Sequence, residues 1–307
     1  MPETRVEVPE MVMLEILSKL PVKSLTRFRC VCPCNGLLCL HDADKVALWN
    51  PSTREFKTLP QSTVQRPPLV DSTSFGCVGI GFDSQSGDYK VVRFVTNYFE
   101  ENEDEGLMGD WNHQVELYSL KSDSWKEISV PGVQPYGSPL FNNYVNGFYY
   151  WQAIGDSDYL ILSFDMVNEK FSTLPLPEFG GSLAKYYLEL LDFNGLLGAI
   201  VYPREGTDKS FDLWVMNGSW TKQFRIDSLP GVERPLGFWK NGELFLESSD
   251  HELVLFDPST RELKSLGIHA YQETMQIIAY VESLVPINGR SEREELIIRR
   301  PAGDASN

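Results

Sequence analysis

Short runs of alternating apolar and polar residues, separated by turn sequences, fill the chain from residue 33 onward. The clearest run occurs twice, as Trp49-Asn-Pro-Ser-Thr-Arg-Glu-Phe-Lys-Thr-Leu59 and as Phe256-Asp-Pro-Ser-Thr-Arg-Glu-Leu-Lys-Ser-Leu266. Each copy has apolar residues before an Asn/Asp-Pro turn and an alternating strand after it, which predicts a β-hairpin. A lone hairpin is marginal in water, so the pattern predicts an array of hairpins stacked against one another.

The hairpin pattern recurs along the chain, with Asn-Gly often opening a strand and Asp or Asn closing one. We count six units, at residues 35–59, 79–94, 115–128, 145–175, 193–220 and 238–266. A spacing of roughly 40 to 50 residues is typical of the four-stranded blades of kelch propellers. The expected fold is therefore mainly β, a kelch-like β-propeller of about six blades, with allowance for an incomplete or distorted first blade. The stretch 276–284 is compatible with a ring-closing strand or a helix, and its β-branched residues favour the strand.

Residues 9–32 follow a helical pattern instead. Val12, Ile16, Leu17 and Leu20 share one face of a helix about three turns long, which Pro21 ends. A second, shorter apolar stripe follows in residues 25–31. Two helices this short need a partner to bury their apolar faces, either another protein or the chain's own β-domain.

The run Glu15-Ile-Leu-Ser-Lys-Leu-Pro-Val-Lys-Ser-Leu25, followed by Arg27-Phe-Arg-Cys-Val31, resembles the opening half of a plant F-box. The resemblance implies that this segment docks on the Skp1 adaptor of a cullin-RING ubiquitin ligase. The side chains implied in that contact are Pro9, Val12, Leu14, Ile16, Leu17, Leu20, Pro21, Val22, Leu25, Phe28 and Val31.

The chain departs from the F-box pattern after Cys32, where a third helix and a linking stretch are expected. Instead Pro33-Cys-Asn-Gly-Leu-Leu-Cys-Leu40 reads as the first strand of the β-domain. The predicted domains are a partial, two-helix F-box at 1–32, an F-box-associated β-domain at 33–286 and a charged tail at 287–307. The alternative to an adaptor of the ligase is a truncated F-box-like module that binds targets with impaired Skp1 binding.

Two further phrases, Gly81-Phe-Asp-Ser-Gln-Ser-Gly-Asp-Tyr-Lys-Val-Val92 and Ile278-Ala-Tyr-Val-Glu-Ser-Leu-Val-Pro286, resemble the S-locus F-box group of plants. That resemblance implies a β-domain that binds basic style ribonucleases in pollen and brings them to ubiquitination during self-incompatibility. It also implies a non-catalytic protein without cofactors.

The charge balance fits a basic protein partner. With 43 acidic against 27 basic side chains, the net charge of −16 repels nucleic acids and anionic lipids. The densest acidic run predicts a protruding loop, which is either a target-binding element or a solvated loop. Its candidate target-binding residues are Glu100, Glu101, Glu103, Asp104, Glu105 and Asp110.

The cysteines and the lack of catalytic motifs bear on location, metal binding and enzymatic activity. Five cysteines, with no apolar signal segment, favour a reducing cytoplasmic or nuclear location. The spacing of Cys30, Cys32, Cys34 and Cys39 does not match the usual zinc-ligand patterns, so no metal is expected. A propeller glycosidase would need two suitably spaced carboxylates, but Asx turns are a better explanation of Asp83, Asp165 and Asp257.

Overall fold

The computed structural model describes residues 30–42, 45–99, 111–137, 141–156, 158–206, 208–239, 242–270, 275–278 and 280–288. Within these ranges the chain contains β-strands and no α-helix. No helix in this part of the chain is long and apolar enough to cross a membrane.

The strands form five antiparallel sheets, in which neighbouring strands follow one another in chain order, except that the short first strand of the third sheet pairs with its third strand. Blade 1 contains β1 (Cys30–Cys34), β2 (Leu37–His41), β3 (Val46–Asn50) and β4 (Glu55–Thr58). Blade 2 contains β5 (Val70–Asp83), β6 (Asp88–Phe99), β7 (Trp111–Ser119) and β8 (Ser124–Ile128). Blade 3 contains β9 (Gln134–Pro135), β10 (Tyr144–Val145), β11 (Phe148–Ile154), β12 (Tyr159–Asp165) and β13 (Lys170–Pro175).

The last two blades have four strands each. Blade 4 contains β14 (Tyr186–Phe193), β15 (Leu196–Pro203), β16 (Asp208–Asn217) and β17 (Ser219–Pro230). Blade 5 contains β18 (Val232–Phe238), β19 (Leu244–Ser248), β20 (Glu252–Asp257) and β21 (Glu262–His269). The fourth strand of each blade is largely exposed whereas the middle strands are buried, so the fourth strand is the outer edge.

The prediction of six blades was wrong, since the described chain forms five. The units predicted at 79–94 and 115–128 are two halves of blade 2, because β6 pairs with β7 from Lys90↔Ser119 to Tyr98↔Trp111. The 11-residue acidic connector between these strands separated the two hairpins in sequence. A local sequence pattern predicts single hairpins. It does not show which hairpins are joined by hydrogen bonds into one sheet.

The first blade is complete, which corrects the expectation of a missing or distorted strand. Its inner strand β1 begins at Cys30, so the interpretation of residues 30–32 as helical was wrong. Val31 pairs with Leu40 and packs against the cluster that contains Leu38 and Trp49. The β-branched Val31 and the buried Cys32 and Cys34 suit a strand that packs on both faces.

The closing segment, described at residues 275–278 and 280–288, completes the ring, and these residues form neither a strand nor a helix, in contrast to both alternatives predicted for 276–284. Met275 packs in the core of blade 5, and Ile278 packs against blade 1. Asn50 Nδ2 donates to the carbonyl oxygens of Ser283 and Val285, at 3.0 and 2.8 Å. Ile287 is 1% exposed inside the core shared by blades 1 and 2, so it belongs to the β-domain rather than to a tail.

Candidate target-binding face

The two faces of the ring differ because the connections on one face are all short turns, whereas the other face also carries several long connections. Strands 1 and 2, and strands 3 and 4, of each blade are joined by one to five residues, and these turns form the short-turn face. Connections between blades and between strands 2 and 3 form the opposite, long-connector face. The longest of these connections are at 59–69, at 176–185 and at 100–110, the last of which lies outside the described residues.

The conformations of the turns on the short-turn face follow from their local sequences. Three Asn-Gly pairs have both residues at positive φ, as a type I′ turn requires: Asn35-Gly36, Asn146-Gly147 and Asn194-Gly195. The predicted Asx turns at Asp83, Asp165 and Asp257 are confirmed, because each carboxylate accepts backbone N–H bonds from residues two positions further along the chain. These carboxylates therefore have a structural explanation in the turns.

The described connectors of the long-connector face are slightly more acidic than the turns of the opposite face. Up to β20, the described residues of these connectors include six Asp and Glu against four Lys and Arg, whereas the described turns contain three against three. Six further acidic residues, in the connector between β6 and β7, lie outside the described residues. The described part of this face therefore carries a small excess of negative charge that the turns lack.

A cleft of about 620 Å³ opens on the long-connector face between blades 2 and 3. Its walls come from β5, from the ends of β6 and β11, from the start of β7 and from the connector at 130–135. Apolar side chains dominate the lining, namely Phe94, Val130, Pro131, Val133, Pro135 and Ile154. Ile154 and Val130 are 45% and 48% exposed, so an apolar surface is presented to solvent here.

Interlocked side chains hold the two walls of this cleft together. Phe94 of blade 2 makes an edge-to-face contact with Trp151 of blade 3, with ring centroids 5.6 Å apart. Nearer the other face, the buried Lys90 Nζ lies 2.8 Å from Asp83 Oδ2 and donates to the carbonyl of Met166 in the blade 2–blade 3 core, also at 2.8 Å. The cleft is thus bordered by two blades fixed relative to each other.

A smaller polar cavity of about 20 Å³ lies where the inner strand of blade 3 is interrupted between β9 and β10. Trp151 Nε1 and Asn143 Oδ1 border it and have no hydrogen-bond partner among the described residues. This space holds about one water molecule. Burial of Glu189 at the same cavity raises its pKa to about 8, despite the opposing influence of Arg234 and Arg204.

Metal binding is not supported by the described part of the chain. It contains no group of three or more His, Cys, Asp or Glu side chains that could hold a metal ion. Burial, together with the neighbouring Cys39, raises the pKa of the Cys34 thiol and thereby disfavours the thiolate that a metal requires.

Most predicted site residues lie outside the described residues. These are ten of the eleven Skp1-docking candidates, Pro9 to Phe28, and all six acidic candidates from Glu100 to Asp110. Val31 is described, and it lies in β1 rather than in a helix. The cleft has no signature in the sequence, since its lining residues are spread from Gly76 to Asp156.

The family described as "F-box associated beta propeller domain" matches residues 4–287 of this chain. The chain belongs to that family. The match covers all five blades, the closing segment and most of the N-terminal residues in which the sequence resembles an F-box.

Curated relatives include F-box proteins of Arabidopsis thaliana. F-box protein CPR1 is 29% identical over 82% of this chain and 66% of its own length. F-box/kelch-repeat protein At3g23880 is 30% identical over 68% of this chain and 56% of its own length. The chain thus spans less than two thirds of the length of each of these two relatives.

Among solved structures, the NanB sialidase of Streptococcus pneumoniae aligns with a TM-score of 0.41 and 10% identity, over 78% of this chain and 60% of that chain. A likeness this weak carries no argument about activity.

Proposed function

We propose that this protein is a substrate-recognition subunit of an SCF (Skp1-cullin-F-box) ubiquitin ligase. The propeller binds the protein target, and the segment before β1 contacts Skp1, through which the cullin is reached. The family match over residues 4–287 carries this proposal, since it joins an F-box-associated propeller to the segment that resembles an F-box. In this role the protein is a non-catalytic adaptor.

The target that we propose is a basic S-ribonuclease of the self-incompatibility response in pollen. The sequence phrases at 81–92 and 278–286, which resemble the S-locus F-box group, support this choice. The second support is electrostatic, because the chain has a net charge of −16 and a basic ribonuclease is complementary to it.

Skp1 binding is tested by capture of purified Skp1 on the full 307-residue chain. Leu17→Ala and Leu20→Ala should each weaken capture by about 1–3 kcal/mol, because both residues lie on the predicted apolar stripe. Lys19→Ala, outside the stripe, is the matched control and should bind like the wild type. Equal affinity of all four proteins would contradict docking through this stripe.

A wild-type chain that does not retain Skp1 would favour the alternative function, a truncated module that binds targets without the ligase. Such a module would compete with intact F-box proteins for the same target. Target binding is measured separately, with a panel of basic S-ribonucleases over 50–300 mM salt. Affinity that falls steeply with salt supports the electrostatic proposal, and absent or salt-independent binding would refute it.

A further inference from the structure

We propose that the cleft between blades 2 and 3 is the anchor site of the target, and that it receives an apolar side chain flanked by basic residues. This inference rests on the proposed function and adds where the target binds and by which chemistry. The cleft has an apolar interior and acidic residues beside its opening. These two features together indicate the chemistry of the segment that binds there.

The interior is suited to an anchor residue. A volume of about 620 Å³ lies within the roughly 300–1,000 Å³ typical of ligand pockets. Phe94 and Val133 lie deeper, while Ile154 and Val130 remain about half exposed at the opening. Burying these exposed apolar groups under a partner side chain removes them from water, which is how anchor residues contribute most of the affinity of an interface.

The acidic residues beside the cleft favour a basic segment of the target. Asp156 and Asp158 are both exposed in the β11–β12 connector, which contributes Ile154 to the cleft through the strand before it. Asp156 lines the cleft itself, so these two carboxylates make the field at this edge of the opening negative. An apolar centre with a charged rim is the usual arrangement of a protein interface.

The backbone leaves the cleft open at two glycines. A Cβ added at Gly76 or at Gly132 meets no atom within 4 Å, and neither residue has a positive φ. A larger side chain at Gly76 therefore fills space at the cleft without displacing the core or straining the backbone. Gly76→Leu is a blocking variant that should fold normally.

The test measures affinity for the same panel of basic S-ribonucleases at low and high salt. Gly76→Leu and Ile154→Asn should each weaken binding about tenfold or more at both salt concentrations, because the first fills the space of the anchor side chain and the second removes an apolar contact with it. The double variant Asp156→Asn with Asp158→Asn should weaken binding several-fold at low salt and much less at high salt, because it removes charge.

Two controls lie on the short-turn face. Phe148 is at the opposite end of β11 from Ile154 and is 37% exposed, so Phe148→Asn is a matched apolar control. Glu243→Gln is the charge control in the turn between β18 and β19. Both should bind like the wild type, and thermal unfolding of each variant confirms that it is folded.

The possible outcomes distinguish a failure of the proposed anchor site from a failure of the proposed function. If the wild type binds and the cleft variants bind as well as Phe148→Asn, the target is recognised elsewhere, and the inference is refuted while the proposed function stands. If the wild type binds none of the ribonucleases, both the proposed target and the anchor site are refuted.

Discussion

Arg93 and Glu116 form a buried ion pair inside blade 2, with Arg93 Nη2 2.6 Å from Glu116 Oε2. The guanidinium lies between the rings of Phe75 and Trp125, 4.0 and 3.9 Å from their centroids. The other carboxylate oxygen of Glu116 is 2.6 Å from Arg66 Nη1, in the connector between β4 and β5. One carboxylate therefore fastens this connector to the blade.

Glu116→Gln should lower the free energy of unfolding by about 3–5 kcal/mol, because two guanidinium groups would then face each other without a buried counter-charge. Urea unfolding followed by tryptophan fluorescence measures the change. The matched control is Asp227→Asn, which breaks an exposed pair with Arg225 and should cost less than about 1 kcal/mol. A similar cost for both variants would contradict a special role of the buried pair.

Asn50→Asp tests the attachment of the closing segment. Asp257 occupies the equivalent place in the second Pro-Ser-Thr-Arg-Glu repeat and makes the same turn, so an Asp at position 50 preserves the Asx turn. It loses the two bonds that Asn50 donates to Ser283 and Val285 and sets a carboxylate against their carbonyl oxygens.

We expect a loss of about 2–4 kcal/mol for Asn50→Asp and faster amide exchange in residues 280–287. Asp257→Asn, the reciprocal change, should alter stability by less than about 1 kcal/mol and leave that exchange unchanged. Unchanged exchange in Asn50→Asp would show that other contacts alone hold the segment.

Gly36 and Gly147 occupy the same position of two Asn-Gly turns, with φ of 81° and 89°, but their surroundings differ. A Cβ at Gly36 would overlap the Val281 carbonyl and the Ser283 side chain, whereas at Gly147 it meets nothing within 4 Å. Gly147→Ala should cost only the left-handed backbone strain, about 1–2 kcal/mol. Gly36→Ala should cost more and should loosen the closing segment, as measured by urea unfolding and amide exchange. Equal costs would refute the close approach.

Glu189 should make stability fall as pH rises. Burial raises its folded pKa to about 8, so between about pH 4.5 and 8 the folded state keeps a proton that the unfolded state has released. The contribution is complete below the unfolded pKa and is lost as pH rises through the folded pKa.

Relative to Glu189→Gln, the wild type should lose about 1–3 kcal/mol of stability between pH 5 and pH 8. Urea unfolding of both proteins across that range measures the difference. Parallel pH profiles of the two proteins would show that Glu189 titrates normally.

The repeated hairpins and their turns were predictable because they depend on local sequence. The Asx turns at Asp83, Asp165 and Asp257, and the Asn-Gly openings, follow from side-chain and backbone preferences over four or five residues. These features were sufficient to predict a β-propeller, and the five-bladed structure confirms a propeller while correcting the count.

The blade count, the ring closure and the cleft could not be predicted, since each depends on residues distant in sequence. The ladder from Lys90 to Tyr98 on β6 and its partners on β7 spans the acidic connector. Asn50 meets Ser283 across more than 230 residues, and nothing in its local sequence distinguishes it from Asp257. The lining of the cleft is drawn from several strands and connectors between Gly76 and Asp156, and no local pattern in the sequence brings these residues together.

The direction of β1 decides where the N-terminal segment joins the ring. This strand runs from Cys30 toward the turn at Asn35 on the short-turn face, so Cys30 lies at the long-connector face. Residues before Cys30 thus join the ring on the face that holds the cleft. Under the proposed function, a target bound in the cleft and an adaptor bound to the chain before Cys30 are therefore attached at the same face of the propeller.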